Sequence, residues 1–357
     1  MEQVILENIT SGQDSSVAPL VSVTALRTIE TAFLVLLSSF VCVFGIFSNI
    51  VNLIIFWKHG FRESITVGLT GLAVSDLGAV ISGIILSICF NPMIPFSELG
   101  VNIIEVQKLV GSRPRVCFAR ITGLITMYLA FERCLCVAVP LHVKRILTPR
   151  RTLAAVMSIS ALVILIDSPI YAAFRLDWTF SPSKNASELG IVSAPNAKDL
   201  QGVSFVISAS VQVISFVVLV VLTSVLVVLL KRRSQWRTQV TRSTAGSSHR
   251  KDISRQEQKA IRLTIMVATI LICSLLPGSL LFFAAFLEPE FNTGRRYQNL
   301  YISIWSVISF SEVSNSSANI FVYYKMNTKY RNTFRDLFCR KKDVVTASPG
   351  DMSGSVK

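Results

Sequence analysis

Charge is scarce in this chain. Asp, Glu, Lys and Arg make up 16% of its 357 residues, where a soluble domain carries about a quarter. Histidine is scarcer still: His59, His142 and His249 lie near basic segments, without partners at metal-ligand spacing. No nucleophile elbow and no phosphate-binding glycine loop occurs. Enzymatic activity is therefore not expected. No internal repeat is visible, which weighs against transporters assembled from repeated halves. The opening stretch "MEQVILENITSGQDSSVAPL" lacks a basic segment followed by an apolar one, so the first span is expected to insert itself.

Apolar surface is abundant. Hydrophobic residues make up 51% of the chain, the mean hydropathy is +0.56, and the apolar residues cluster in long runs. A run of about 20 such residues crosses the hydrocarbon core as a helix. Seven runs qualify, at 31–57, 65–90, 114–139, 152–174, 203–230, 260–287 and 299–324. The basic segment "KLVGSRPRVCFAR" blurs the outer end of the third, whose helix is allowed to begin near 103 and so take in Lys108 and Arg113. The expected fold is an all-α membrane protein: an extracellular segment over 1–30, a seven-helix bundle over 31–324, an amphipathic helix over 325–342 and a disordered tail over 343–357.

The net charge of +14 speaks to sidedness rather than to nucleic acid. Lys58, Arg62, Lys144, Arg145, Arg150 and Arg151 fall on one face, with the basic stretches from Lys231 to Arg262 and from Lys325 to Lys342. The positive-inside rule makes that face cytoplasmic. Glu7, Asp14, Glu98, Glu188, Glu288 and Glu290 fall on the other, as do the glycosylation sequons at Asn8 and Asn185. The N-terminus is placed outside and the C-terminus inside, in a multi-pass protein of the plasma membrane.

Ionisable groups inside spans are costly and face the bundle interior. Asp76, Arg115, Arg120, Glu132, Arg133, Asp167 and Glu312 are such groups, and Asn49, Asn315 and Asn319 add strong polarity. Interhelical hydrogen bonding alone accounts for some of them. A lone Asp beside several Asn on other helices points more to a functional site.

The motifs on these spans, in their order, resemble those of rhodopsin-like (class A) G-protein-coupled receptors. "SNIVN" in span 1 resembles the Gly-Asn motif, and "LAVSD", ending at Asp76, matches Leu-Ala-x-x-Asp in span 2. "FERCLCVAVPLHV" resembles the Asp-Arg-Tyr segment, "CSLLPG" the Cys-Trp-x-Pro region around Pro277, and "NIFVYY" the Asn-Pro-x-x-Tyr motif, giving Asn319 and Tyr323. The similarity runs from about 31 to 340 and looks most like invertebrate, molluscan, peptide or chemosensory receptors.

The resemblance implies a receptor that binds an extracellular ligand and activates heterotrimeric G proteins, with arrestin as a further partner. In such receptors Arg133 closes the inner end of the bundle at rest, held by Glu132 and by Glu257 at the inner end of span 6, and releases both on activation. The alternative is an ordinary interfacial charge cluster. Asp76, Thr122, Asn315 and Asn319 correspond to a water and sodium pocket, so Na+ is expected as an allosteric ion or, equally, a hydrated cluster without one. Arg115 lies 18 residues before Arg133, about 27 Å outward along a helix. Amine receptors of the family carry an Asp there. The charge reversal implies an anionic or carboxylate-bearing ligand on Arg115, with Arg120 deeper and paired with Glu312. The alternative is that Glu312 and Asp167 neutralise both arginines internally. A divergent receptor without G-protein signalling, or a transporter or channel, is the rival function.

Several positions depart from the family. Lys108 stands near the place of its outer cysteine, and loop 175–202 contains no cysteine, so a looser outer loop is expected, with Cys89 and Cys117 as a conceivable substitute pair. Leu275 replaces the family's Trp, Ile320 its Pro and Cys134 its Tyr. In the tail, Tyr330, Phe334 and Phe338 form one stripe on a basic helix suited to the membrane surface, and Cys339 is a palmitoylation candidate.

Overall fold

The computed structural model describes residues 20–138, 147–182, 185–241 and 248–338, without side chains at 198, 205, 233–241 and 248–257. Asn8, Cys339 and the tail over 343–357 lie outside the described residues, as does the side chain of Glu257.

Seven long helices cover the seven apolar runs. They are α1 (Val23–His59), α2 (Ser64–Cys89), α3 (Ile103–Ala138), α4 (Pro149–Ala173), α5 (Ala197–Thr241), α6 (Ser248–Leu287) and α7 (Gln298–Met326). A short α8 (Thr328–Phe338) follows. Local chemistry sets several ends. Ser22 caps α1 by accepting from the Ala25 N–H, and Gly60, at φ 73°, ends it by donating to Trp57 O. Thr148 caps α4, whose first residue is Pro149, a position where the missing N–H costs nothing. α3 begins at Ile103, through the π-helical turn Lys108–Ser112, so the basic outer segment is helical. α5 and α6 run past the apolar stretches at their inner ends.

Six of the described helices are both long and apolar enough to cross a bilayer. α7 is long enough at 29 residues, but its serines and asparagines lower its hydropathy. Those groups are inside: Ser303, Ser306, Ser309, Asn315, Ser316, Ser317 and Asn319 are all buried. The apolar side chains face outward instead, Phe40 and Phe286 being 78% and 81% exposed. This is the inversion expected of a bundle that meets lipid outside and packs polar groups against one another inside.

The inner half of the bundle is packed around Phe56, Leu72, Ile125, Tyr323 and Tyr330. Phe56, Tyr323 and Tyr330 form a ring cluster with centroids 5.4 to 5.9 Å apart. Tyr330 carries α8 into this core, its hydroxyl donating to Asn52 Oδ1 at 2.6 Å, and burial pushes its phenol well above the ordinary range. Phe334 meets Tyr324 edge to face, while Phe338 is half-exposed. The aromatic stripe of α8 thus packs under the bundle at one end and faces outward at the other.

The outer loop is not loose. Residues Phe174–Ser181 (β1) and Ala186–Ser193 (β2) pair antiparallel in a hairpin, Phe174 opposite Ser193 and Ser181 opposite Ala186. Its sequence signal is the alternation of Phe174, Leu176, Trp178 and Phe180 with Arg175, Asp177, Thr179 and Ser181. Asn185 sits exposed in the connecting turn at φ 47°, a left-handed conformation that Asn tolerates. Noncovalent ties hold the hairpin to the start of α3. Asn102 N–H donates to Leu189 O at 2.9 Å, Leu189 N–H to Gly100 O at 2.8 Å, and Ile191 N–H to Glu105 Oε2 at 2.8 Å. Cys89 and Cys117 are both free thiols, so they do not replace the family's disulfide.

Candidate functional site

Three polar clusters are stacked along the bundle. The innermost surrounds Glu132, which is fully buried. Its carboxylate accepts from Thr152 Oγ1 at 2.6 Å, Tyr128 OH at 2.7 Å and Ser64 Oγ at 2.8 Å. Those hydroxyls come from α4, α3 and α2, so one carboxylate fastens three helices. Arg133 lies farther off, with Nη2 at 3.5 Å from Glu132 Oε2, and its Nε has no hydrogen-bond partner. The expected pair is present, but hydroxyl donors meet most of the carboxylate's demand. Ser64, Tyr128 and Thr152 went unrecognised in the sequence. Tyr128 had a signal, standing one helical turn before Glu132 on the same face. The other two had none, because they meet Glu132 only through tertiary packing. Tyr323 is fully buried among aromatic rings, and its hydroxyl lacks a partner. Pro277 lies inside α6. Helix breakers are tolerated in membrane spans, where neighbouring groups satisfy the freed backbone.

The middle cluster centres on Asp76, also fully buried. Thr122 Oγ1 donates to one carboxylate oxygen at 2.9 Å and Asn319 Nδ2 to the other at 2.7 Å. Ser316 adds a hydroxyl, and Ser75 meets Thr122 at 2.9 Å. Asn49 ties α1 in by donating to Ser316 O at 2.9 Å. Asp76, Thr122 and Asn319 therefore come together as expected. Asn315 is buried on α7, one turn before Asn319, but is not among Asp76's hydrogen-bond partners; Ser316 occupies that role. Consecutive helix residues point about 100° apart, so an assignment by motif is easily off by one position. The oxygens of Asp76, Thr122, Ser316 and Asn319 are a donor set of the hard type that suits a sodium ion.

The outer cluster holds two separate ion pairs. Arg115, 2% exposed, bonds through Nη1 to Glu312 and through Nη2 to Ser309 Oγ at 3.2 Å, and its guanidinium lies 5.7 Å from the centre of the Trp305 ring. Arg120 pairs with Asp167 Oδ1 at 2.7 Å. The expected Arg120–Glu312 pair does not form. Five residues apart on a helix, Arg115 and Arg120 point about 140° from each other. One therefore faces α7 and the other α4, and they do not share a site. Both arginines are neutralised internally. The accessible member of the Arg115–Glu312 pair is the acid, since the Glu312 side chain is 19% exposed against 2% for Arg115.

The chain was compared with known proteins. The family model described as serpentine type 7TM GPCR chemoreceptor Srw matches residues 36–341. No curated protein matches the chain.

Proposed function

We propose, for a chain that belongs to the serpentine 7TM GPCR chemoreceptor family Srw, that it binds an extracellular chemical ligand between α3 and α7 and activates heterotrimeric G proteins at its inner face. The observation that carries this reading is the vertical order of the three clusters. A partly accessible ion pair lies outermost, a buried carboxylate knot lies midway, and a loosely held arginine lies at the inner rim. Each cluster joins α3 to other helices, so a displacement at one level is felt at the next.

The ligand is read as a peptide terminus or a small molecule bearing a carboxylate. It takes the place of Glu312 on Arg115, where a guanidinium matches a carboxylate with two parallel hydrogen bonds. Exchange of one acid for another keeps Arg115 compensated, which a buried cation requires. The greater exposure of Glu312 favours a second reading, in which a cationic group of the ligand meets that acid. The Asp76 knot is read as a sodium-linked element that biases the resting state. At the inner rim Arg133 moves on activation while Glu132 stays with its three hydroxyls, and a G-protein α-subunit segment enters. A placement in class A, near invertebrate peptide receptors, rests on the motif order alone.

Ligand-dependent signalling of Arg115→Glu, Glu312→Arg and the double swap, at matched surface expression, tests the reading. Loss in each single variant, with folding restored in the swap, supports a site at the pair. An unchanged dose response in Arg115→Glu overturns it.

A further inference from the structure

Three arginines on α3, Arg113, Arg115 and Arg120, have two acids as ion-pair partners, Glu312 and Asp167. The remaining arginine is Arg113, which makes no ion pair among the described residues. It points some 160° away from Arg115 around the helix, and within about 20° of Arg120, one heptad on. Arg113 and Arg120 thus share the α4 side of α3, with Asp167 and Tyr171 the other ionisable groups close to Arg113.

A groove of about 210 Å³ lies there, between α3 and α4. Arg113, Asp167 and Ser168 give it polar edges, and Pro114, Phe118 and Ile164 give it an apolar wall. It opens outward, away from the bundle: Ile164 is 56% and Tyr171 46% exposed, on the lipid-facing side of α4. Its height is informative too. Arg113 lies 20 residues before Arg133, about 30 Å along the helix, the thickness of the hydrocarbon core. Arg113 therefore stands at the outer boundary between acyl chains and headgroups.

We propose that this groove is a lipid-side binding site for a single-chain amphiphile with a carboxylate head, such as a long-chain fatty acid. Arg113 receives the carboxylate, and the chain lies along Pro114, Phe118 and Ile164. The local charge selects the head. Arg113, Arg120 and Asp167 sum to one net positive charge, which a monoanion cancels. A phosphate dianion overshoots and faces Asp167 with excess negative charge. The site is distinct from the Arg115–Glu312 pair, which lies on another face of α3, and does not depend on the reading given to that pair.

The test uses the full chain in nanodiscs of phosphatidylcholine, which is zwitterionic, with an oleate analogue bearing a photoactivatable diazirine. Labelling is mapped by mass spectrometry. The expected result is labelling of the α4 peptide containing Ile164 and Ser168, suppressed by excess oleate but not by oleyl alcohol. Arg113→Gln should lower labelling at least tenfold, whereas Lys108→Gln, which removes an exposed cation of similar height, should leave it unchanged. Ile164→Trp fills the groove without touching charge and should also abolish labelling, so the proposal stays testable if Arg113→Gln fails to fold. Equal labelling of wild type and Arg113→Gln, equal competition by the alcohol, or stronger competition by lysophosphatidate would each overturn it.

Discussion

Thr152→Val probes the inner cluster most sharply. Valine keeps the shape of threonine at a fully buried position and removes one hydroxyl. That hydroxyl makes the shortest bond to Glu132, at 2.6 Å, and lies 2.7 Å from Ser64 Oγ. A hydrogen bond to a charged group contributes about 1.5–3 kcal/mol, against roughly 0.5–1.5 kcal/mol for a neutral pair. Thr152→Val should therefore destabilise the receptor by about 2 kcal/mol in the wild-type background. In a Glu132→Gln background, where the acceptor is neutral, the same substitution should cost about 1 kcal/mol less. The difference is the coupling energy that a double-mutant cycle measures. The assay is thermal unfolding of detergent-solubilised receptor, followed by fluorescence of a dye that reacts with buried thiols. Additive effects of the two substitutions would refute the reasoning, because they would mean that Glu132 does not depend on Thr152. The same variant carries a functional prediction. With one hydroxyl gone, Glu132 leans more on Arg133, so agonist-independent signalling should fall rather than rise.

Further outcomes are expected elsewhere. Glu312→Gln leaves Arg115 buried without its acid and should lower stability by roughly 3–5 kcal/mol, read as reduced surface expression and restored by Arg115→Gln in the same chain. Tyr330→Phe removes the hydroxyl that reaches Asn52 and should weaken the docking of α8 by about 1 kcal/mol, seen as faster hydrogen exchange confined to residues after Met326. Replacing sodium with choline at constant ionic strength should lower the melting temperature of the wild type but not of Asp76→Asn; equal shifts in the two would remove the ion from the account.

The architecture was legible because a bilayer imposes a simple rule on sequence. Apolar runs of sufficient length marked the helices, and the basic loops carry the expectation of which end of each faces inward. α7 was legible as well, although its serines and asparagines place it near the limit, because its apolar residues still outnumber them. The hairpin was missed for a different reason. A two-residue alternation over Phe174 to Phe180 is too short to register in a hydropathy window, and no cysteine marks the loop. Pairings between helices were the least legible. The residues of the Asp76 knot followed from motif order, with Ser316 taken for its neighbour Asn315. Which arginine meets which acid depends on helix rotation: Arg115 and Arg120 differ by 140° of azimuth, which decides between Glu312 and Asp167 as partner. The hydroxyls around Glu132 come from three helices, and no local pattern binds Ser64 and Thr152 to it in advance.

The most direct test of the central claim needs no ligand. It is the basal exchange of guanine nucleotide on a panel of heterotrimeric G proteins, catalysed by wild type and by Glu257→Ala at matched surface density. The account predicts that one G-protein class responds to the wild type and that Glu257→Ala raises its exchange rate several-fold, because Arg133 then loses an acid that holds it at rest. If neither protein accelerates exchange on any class, the chain is a member of a chemoreceptor family that does not signal through G proteins, and the reading of its inner rim is wrong.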